Sequence, residues 1–175
     1  MGFAFQPDAI KEFKDDYRFL SNFWRVTYTV PVTFEGKTHY IEFKSSEHAY
    51  QAFKANNRKD FDYVRAAETP GKAKRRGREI TIRQDWEAIK LDVMMLVVQH
   101  KFEIPRLGGQ LIYTHPKQLV EGNWWNDKFW GVCLKTNIGI NALGQILMKV
   151  RKDIIDATHK NKAKRETQAL LKRKY

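Results

Sequence analysis

The sequence predicts an α+β protein, a compact and mostly helical single domain with a small antiparallel sheet. The chain has 175 residues, 42% of them hydrophobic and 13% aromatic, which is enough to build a buried core. Residues 24–43 alternate β-branched and aromatic side chains around Glu35-Gly36, which predicts a β-hairpin. Pro31 lacks an N–H group, so its strand is expected to lie at a sheet edge or to be interrupted there. Apolar residues at helical spacing in several later segments predict helices.

The helices that follow the hairpin have recognisable starts. Ser45 or Ser46 is a favourable N-cap for a helix that reaches about Asn56-Asn57. A second helix is predicted over residues 59–68. Thr69-Pro70 predicts the N-cap and first turn of a short basic helix.

In the second half of the chain, Asp85 is a favourable N-cap for the longest predicted helix, 86–103. Gly108-Gly109 weakens the helix expected after it. An aromatic, turn-rich loop follows at 122–131, and the last regular helix is predicted from about 141 to 157. The core-facing stripe of the 86–103 helix is predicted to comprise Trp86, Ile89, Val93, Met94, Val97 and His100 or Lys101.

The chain divides into a folded domain, 1–157, and a basic C-terminal tail, 158–175, expected to be a surface helix or a mobile segment. Cys133 is the only cysteine, so no internal disulfide can form, which favours a reducing compartment. The sequence has neither a signal-peptide pattern nor an apolar run of about 18 residues, so a cytoplasmic protein without a membrane partner is expected. The amino-acid sequence does not predict an oligomeric state.

The positive charge of the chain is concentrated in two segments. The net charge is +12, and residues 149–175 carry +7 while residues 71–83 carry +5. Clustered cations raise the local concentration of anions, which favours a partner that carries phosphates. The alternative is that these residues are solvated and serve solubility.

Residues 45–54, "SSEHAYQAFK", place Glu47, Gln51 and Lys54 on one stripe of a predicted helix. Spacing alone leaves two interpretations open. Glu47 lies in the first turn, where the helix dipole stabilises a carboxylate, and Lys54 can be a surface residue. The other interpretation is a functional polar stripe.

No motif in the sequence predicts a metal or cofactor. The histidines lack metal-binding spacing, and no phosphate-binding glycine loop is present. Cys133 lacks an evident His or Asn partner, which favours a core residue over a nucleophile. The histidines are His39, His48, His100, His115 and His159.

Seven short segments form an ordered set over about residues 12–152. They are "RFLSNFW" (18–24), "SSEHAYQAFK" (45–54), "PGKAKRRGR" (70–78), "DWEAIKLDVM" (85–94), "KF" (101–102), "LVEGNWWNDKFWG" (119–131) and "GINALGQILMKVR" (139–151). In that order and at those intervals, they resemble the YbiA-like, or NADAR, family of N-glycoside hydrolases. The resemblance implies a compact, mostly helical α+β fold and cleavage of a ribosyl C1–N bond. Substrates of the family are ADP-ribose attached to guanine and phosphoribosylamino-pyrimidine intermediates of riboflavin synthesis.

The resemblance also implies a set of pocket residues. The chain departs from the family pattern at residues 130–141, where a glycine-rich stretch is usual, and at the aromatic pair Trp124-Trp125. Both departures concern the fit of the substrate more than the chemistry. Carried over residue by residue, the implied pocket comprises Ser21-Asn22-Phe23, Glu47, Lys54, Asp127, Trp130-Gly131 and Asn141.

The implied chemistry gives three of these residues a catalytic role. Cleavage of a ribosyl–nitrogen bond builds positive charge on C1 and on the ring oxygen, and a fixed carboxylate stabilises it. Glu47 suits this task, with Asp127 as a second candidate. Lys54 can bind phosphate, donate to the sugar, or attack C1 as an amine if burial lowers its pKa.

The remaining candidates are expected to bind the substrate. Phe23 and Trp130 can stack a base or can simply be core residues, and Gln51 shares the stripe of Glu47. Arg78 or Lys74 can hold a diphosphate, although solvated charge is the alternative for each.

The sequence therefore predicts a metal-independent and cofactor-independent N-glycosidase that removes ADP-ribose from guanine in a nucleotide or nucleic acid. The charge of +12 favours this substrate over a riboflavin intermediate, which remains the alternative. A further alternative is a module that binds ADP-ribose or nucleic acid without cleaving it. The presence of both Glu47 and Lys54 disfavours such a module.

Overall fold

A computed structural model describes residues 2–172, with side chains up to residue 164. The elements, in chain order, are a 3-10 helix (Asp15–Leu20), β1 (Tyr28–Phe34), β2 (Lys37–Phe43), α1 (Ser46–Ala52), α2 (Arg58–Arg65), α3 (Pro70–Arg76), α4 (Trp86–Phe102), α5 (Pro105–Tyr113), β3 (Gly122–Asn123), β4 (Val132–Cys133), β5 (Ile138–Gly139) and α6 (Ala142–Lys172). The α+β class and the predominance of helix are confirmed.

The predicted hairpin is confirmed, and it forms a sheet of its own. β1 and β2 pair antiparallel, and the turn residues Glu35 and Gly36 have φ angles of 48° and 74°. Positive φ at both central positions is what a tight hairpin turn requires. Pro31 lies within β1 opposite Tyr40, and this is tolerated because β1 has only β2 as a neighbour in the described sheet.

Helix α1 is shorter than predicted, and its end places Lys54 outside the helix. Ser45 caps it as expected, since the hydroxyl accepts a hydrogen bond from the backbone N–H of His48. Beyond Ala52 the chain turns away to pair with a later segment, and Arg83 N donates to the Lys54 carbonyl at 2.9 Å. This tertiary contact overrides the local tendency to continue the helix.

Two further helices begin close to their predicted positions. Asn57 caps α2, accepting from Asp60 N, so the helix starts one residue earlier than the predicted range 59–68 and ends at Arg65. Thr69 caps α3 by accepting from Lys72 N, as predicted.

Helix α4 matches its predicted range, but two details differ. The Asp85 carboxylate pairs with Arg83 at 2.6 Å and does not cap the helix. At the end of the stripe, Lys101 is buried and His100 is half-buried. Helix α5 forms in spite of its glycines. Gly108 suits its position because a Cβ there would lie 2.7 Å from the Phe102 carbonyl oxygen.

The core forms around α1 and α4. Every residue of α1 is buried, and the helix contacts α2, α3, α4 and β2. Helix α4 packs against β1, α5 and α6. A short helix with no solvent face can hold polar side chains only where they find partners or line a cavity.

A second, three-stranded sheet lies near the end of the domain. β3 pairs parallel with β4, and β4 pairs antiparallel with β5. The aromatic loop predicted over 122–131 connects β3 to β4. This sheet fixes both ends of that loop.

Helix α6 is the longest described helix and runs 31 residues, well past the predicted end near residue 157. It therefore continues into the predicted tail, of which residues 173–175 lie outside the described part. None of the described helices combines the length and the low polarity that crossing a membrane requires.

Candidate active site

The structure gathers most of the predicted site residues around one cavity of about 830 Å³. Gly131 and Asn141 do not line it. The predicted residues that do are Ser21, Asn22, Phe23, Glu47, Gln51, Lys54, Arg78, Asp127 and Trp130. The remaining lining residues are Tyr50, Lys74, Met94, Glu121, Trp125, Asn126 and Leu143.

Helix α1 supplies a buried carboxylate to this cavity. Glu47 is 5% exposed, and Gln51 Nε2 donates to Glu47 Oε1 at 2.8 Å. Burial raises the pKa of Glu47, while the hydrogen bond from Gln51 and the charges of Lys74, Lys54 and Arg78 act to lower it. Glu47 is therefore a pocket carboxylate held in one orientation, not a solvent-exposed group at a helix end.

Lys54 follows α1 and lies against two aromatic rings. Its Nζ is 5.3 Å from the ring centroid of Tyr50 and 5.6 Å from that of Trp86. Burial lowers the pKa of Lys54, and the charge of Glu47 opposes that shift. A lysine whose charged form is disfavoured has a larger share of the nucleophilic amine at neutral pH.

The segment Ser21–Phe23 forms a tight corner at the cavity wall. Phe23 N donates to Ser21 Oγ at 3.1 Å, and the Asn22 carbonyl accepts from Glu47 N at 3.0 Å. The corner is thus tied to the start of α1. Asn22 Oδ1 is buried without a hydrogen-bond partner in the described part of the chain, so it can accept from a bound molecule.

The basic segment 71–83 is divided between structural and cavity-lining residues. Lys74 and Arg78 line the cavity, and Lys74 Nζ lies 5.6 Å from the ring centroid of Phe23. The other basic residues have partners elsewhere: Lys72 with Glu68, Arg75 with Glu79, Arg76 with the Tyr63 carbonyl and Arg83 with Asp85. The segment therefore directs two cations into the cavity.

Asp127 lines the cavity, but its side chain also organises the 122–131 loop. Asp127 Oδ1 accepts from Phe129 N and from Trp130 N, both at 3.0 Å. Asn123 closes the same turn, because its Oδ1 accepts from Asp127 N at 2.9 Å. These bonds assign Asp127 a structural task in addition to any role in catalysis.

Gly131 and Asn141 lie behind the cavity and contact the backbone of Glu121. A Cβ on Gly131 would lie 2.0 Å from the Glu121 carbonyl oxygen, so no larger residue fits there. Asn141 has a φ of 59°, its Oδ1 accepts from Glu121 N at 3.0 Å, and its Nδ2 donates to the Leu119 carbonyl at 2.9 Å. Asn141 therefore binds the backbone of Glu121, and Gly131 leaves room for the Glu121 carbonyl group.

Glu121 is a carboxyl group of the cavity that the sequence analysis does not include among the site residues. Burial raises its pKa to about 7. Its place in the segment 119–131, which carries part of the family resemblance, is the available signal, because residue type alone predicts an exposed glutamate.

The two tryptophans of the loop differ in their surroundings. Trp124 Nε1 donates to Glu12 Oε1 at 3.2 Å, which ties the loop to the N-terminal segment. Trp125 is 66% exposed and lines the cavity, as does Phe23, which is 44% exposed. The solvent-facing part of the cavity therefore offers two aromatic rings.

Two other reactive side chains do not belong to the cavity. His48 is buried on α1, 2.7 Å from Ser45 Oγ and 3.1 Å from the Ala67 carbonyl oxygen. Cys133 is a buried residue of β4. Across the described residues, no cluster of three or more His, Cys, Asp or Glu side chains has metal-binding geometry.

Comparison with known proteins gives consistent matches. Residues 10–155 match the family model described as the NADAR domain. N-glycosidase YbiA of Escherichia coli K12 is 35% identical over 145 residues, which cover 80% of this chain and 83% of that protein. The NMR structure of E. coli YbiA superposes with a TM-score of 0.69 at 32% identity, covering 90% of this chain and 91% of that one.

A relative with a different name has similar identity. A riboflavin biosynthesis protein of Vibrio vulnificus is 35% identical over 152 residues, which cover 85% of this chain and 39% of that protein. This chain therefore corresponds to one part of that longer protein.

Proposed function

The chain belongs to the NADAR family, and on that basis we propose that it is an N-glycosidase that hydrolyses a ribosyl C1–N bond. The observation that carries the proposal is the presence of the buried Glu47 carboxylate and the partly buried Lys54 amine in one cavity. N-glycosidase YbiA, 35% identical over most of both chains, supports the same reaction class.

Glu47 stabilises the positive charge that develops at C1 and the ring oxygen. Its carboxylate has a fixed orientation because Gln51 donates to it at 2.8 Å. The Gln51 side chain packs closely against Gly77, where a Cβ would lie 2.1 Å from Gln51 Oε1, so it has little room to move. A charge that needs no reorganisation during the reaction gives the largest stabilisation of a transition state.

Lys54 attacks C1 as an amine. Its nitrogen bonds to C1 as the C1–N bond of the substrate breaks, and the sugar ring opens to an imine. Water then hydrolyses the imine, which releases the sugar and restores the amine. The lowered pKa of Lys54, caused mainly by burial, favours the neutral amine that this step needs.

The substrate we propose is ADP-ribose attached to guanine. A diphosphate needs cations, and Lys74 and Arg78 supply them in the cavity. The flat adenine and guanine rings need stacking partners, and Phe23 and Trp125 offer exposed aromatic faces. The ribose hydroxyls can donate to the unpartnered Oδ1 of Asn22.

A second candidate substrate is a phosphoribosylamino-pyrimidine. It is favoured by the riboflavin biosynthesis protein of V. vulnificus, which is 35% identical to this chain. Such a substrate carries one phosphate and one ring, so it would engage fewer of the cations and aromatic rings around the cavity.

The deciding experiment incubates the protein with an oligonucleotide that carries ADP-ribosylated guanine and, separately, with the phosphoribosylamino-pyrimidine. Mass spectrometry measures the released sugar. We expect faster release of ADP-ribose, and we expect Trp125→Ala to raise KM for that substrate only. Faster cleavage of the pyrimidine would favour the second candidate, and binding without release from either substrate would identify a non-catalytic module.

A further inference from the structure

Glu121 is a second buried carboxyl group in the cavity, and the roles proposed for Glu47 and Lys54 leave it without a task. Its Oε2 atom is buried and has no hydrogen-bond partner among the described residues. An unsatisfied buried oxygen costs stability, so its presence in a cavity calls for a reason. Asp127, the other carboxylate of this wall, already accepts two backbone hydrogen bonds.

The backbone of Glu121 is fixed on both sides. Its N–H donates to Asn141 Oδ1 at 3.0 Å, and its carbonyl accepts from Val132 N at 3.0 Å. Gly131 lies so close to this carbonyl that any Cβ there would be 2.0 Å from the oxygen. Gly131 and Asn141 lie behind the pocket in which the sequence predicts them. They fix the backbone of Glu121 and thereby position its side chain.

The surroundings of Glu121 favour its protonated form. Burial raises its pKa to about 7, and the negative charges of Asp127 and Glu47 add to that rise. The positive charges of Lys101 and Lys74 oppose it. A carboxylic acid with a pKa near the working pH is suited to give up a proton in a transition state.

Lys101 is the buried cation in this arrangement. It is 1% exposed, and its Nζ donates to the Ser21 carbonyl at 2.9 Å. Burial lowers its pKa to about 7, and the charge of Glu121 acts in the opposite direction. Lys101 does not line the cavity. Any effect on the reaction is therefore indirect, through its charge on Glu121 and its hydrogen bond to the Ser21 carbonyl, which makes it a positioning residue.

We propose that Glu121 is the general acid of the cavity and donates its carboxyl proton to the departing nitrogen while the C1–N bond breaks. The electron pair of that bond goes to the nitrogen, which accepts the proton, and C1 bonds to the amine of Lys54. When water replaces this amine at C1, the proton released restores Glu121. The inference deepens the proposed function and rests on it.

The test measures kcat/KM for release of ADP-ribose from an ADP-ribosyl-guanine oligonucleotide across roughly pH 5–9. We compare the wild type, Glu121→Gln, Lys101→Met and a control, Glu103→Gln, an exposed residue at the end of α4 near His100. Gln is nearly isosteric with Glu and keeps both backbone bonds, so circular dichroism should show an unchanged fold.

We expect the wild type to lose activity as the pH rises through about 7, because the acid deprotonates. Glu121→Gln should lower kcat/KM by about 10²- to 10⁴-fold and remove that basic limb. Lys101→Met should move the limb to higher pH, because it removes a positive charge that lowers the pKa of Glu121.

The outcomes separate the two proposals. A wild type that releases no sugar from any N-ribosyl substrate contradicts the proposed function itself. An active wild type with a folded Glu121→Gln variant that keeps its rate, or keeps the basic limb, contradicts only the role of Glu121. If Glu121→Gln does not fold, an unmoved limb in Lys101→Met overturns the inference.

Discussion

Two walls of the cavity carry carboxylates, and they differ in how those carboxylates are held. On the α1 wall, Glu47 comes from a completely buried helix and is oriented by Gln51, one helical turn away. On the wall formed by residues 121–131, Asp127 organises its own loop, whereas Glu121 is held by distant residues such as Asn141. A carboxylate that lines a cavity can thus be free to act on a substrate, or it can be engaged in hydrogen bonds to backbone N–H groups, as Asp127 is.

Glu47 of helix α1 is expected to be required for turnover. Glu47→Gln preserves shape but removes the negative charge that stabilises C1, so we expect turnover of ADP-ribosyl-guanine to fall by about 10²-fold or more. The thermal midpoint should change little. Glu42→Gln, on the exposed face of β2, is the matched control. Wild-type turnover in a folded Glu47→Gln variant would reduce Glu47 to a structural residue.

Replacing Lys54, the amine beside Glu47 in the cavity, should lower turnover by a similar factor. Lys54→Met keeps an unbranched side chain only one atom shorter and removes the nucleophile, so turnover should fall on the order of 10²-fold at neutral pH. Lys37→Met in β2 is an exposed control. The variant is assayed by sugar release, and near-normal release would limit Lys54 to packing against Tyr50 and Trp86.

Asp127, on the wall formed by residues 121–131, is expected to matter more for stability than for catalysis. Asp127→Ala removes an acceptor of two backbone hydrogen bonds, so unfolding should become easier by about 1–3 kcal/mol. Asp127→Asn keeps an oxygen at that place and should lower turnover by less than about 10-fold, against the 10²-fold expected for a residue that stabilises developing charge. Chemical denaturation and sugar release measure the two effects. If Asp127→Asn abolished turnover without a loss of stability, Asp127 would belong with Glu47.

Residues 158–175 are expected to contribute little to turnover. Deletion of residues 158–175 removes cations that we propose attract nucleic acid, so the log–log salt slope of DNA binding should fall by about 0.9 for each phosphate that these cations neutralise. Turnover of a small ADP-ribosyl nucleoside should hardly change, because the cavity residues all precede this segment. Loss of that turnover would mean that the segment supports the domain.

The parts of this structure that depend on local patterns were predictable from the sequence. The hairpin turn at Glu35-Gly36, the cap at Thr69 and the range of α4 follow from short-range preferences. The early end of α1 was not predictable, because it depends on pairing between Lys54 and Arg83. Local propensity gives no information on such tertiary contacts.

The candidate site shows the same division. The stripe of Glu47 and Gln51 could be predicted because helical spacing places both on one face. The position of Glu121 could not, since it is fixed by Asn141 and Gly131 from later in the chain. Spacing also could not tell which cations of the 71–83 segment enter the cavity, because that depends on which of them find partners on α2 and the adjoining turns.

Chemical trapping of the covalent intermediate would show directly whether Lys54 attacks C1. Sodium borohydride is added while the protein turns over ADP-ribosyl-guanine, and the protein is digested and mapped by mass spectrometry. A reduced imine between C1 and a lysine would locate the reaction at one atom of the substrate and one of the protein. We predict a ribosyl adduct on Lys54 alone, absent from Lys54→Met and present in Lys37→Met. An active protein that yields no adduct, or an adduct on another lysine, would contradict the proposal that Lys54 attacks C1 as the C1–N bond breaks.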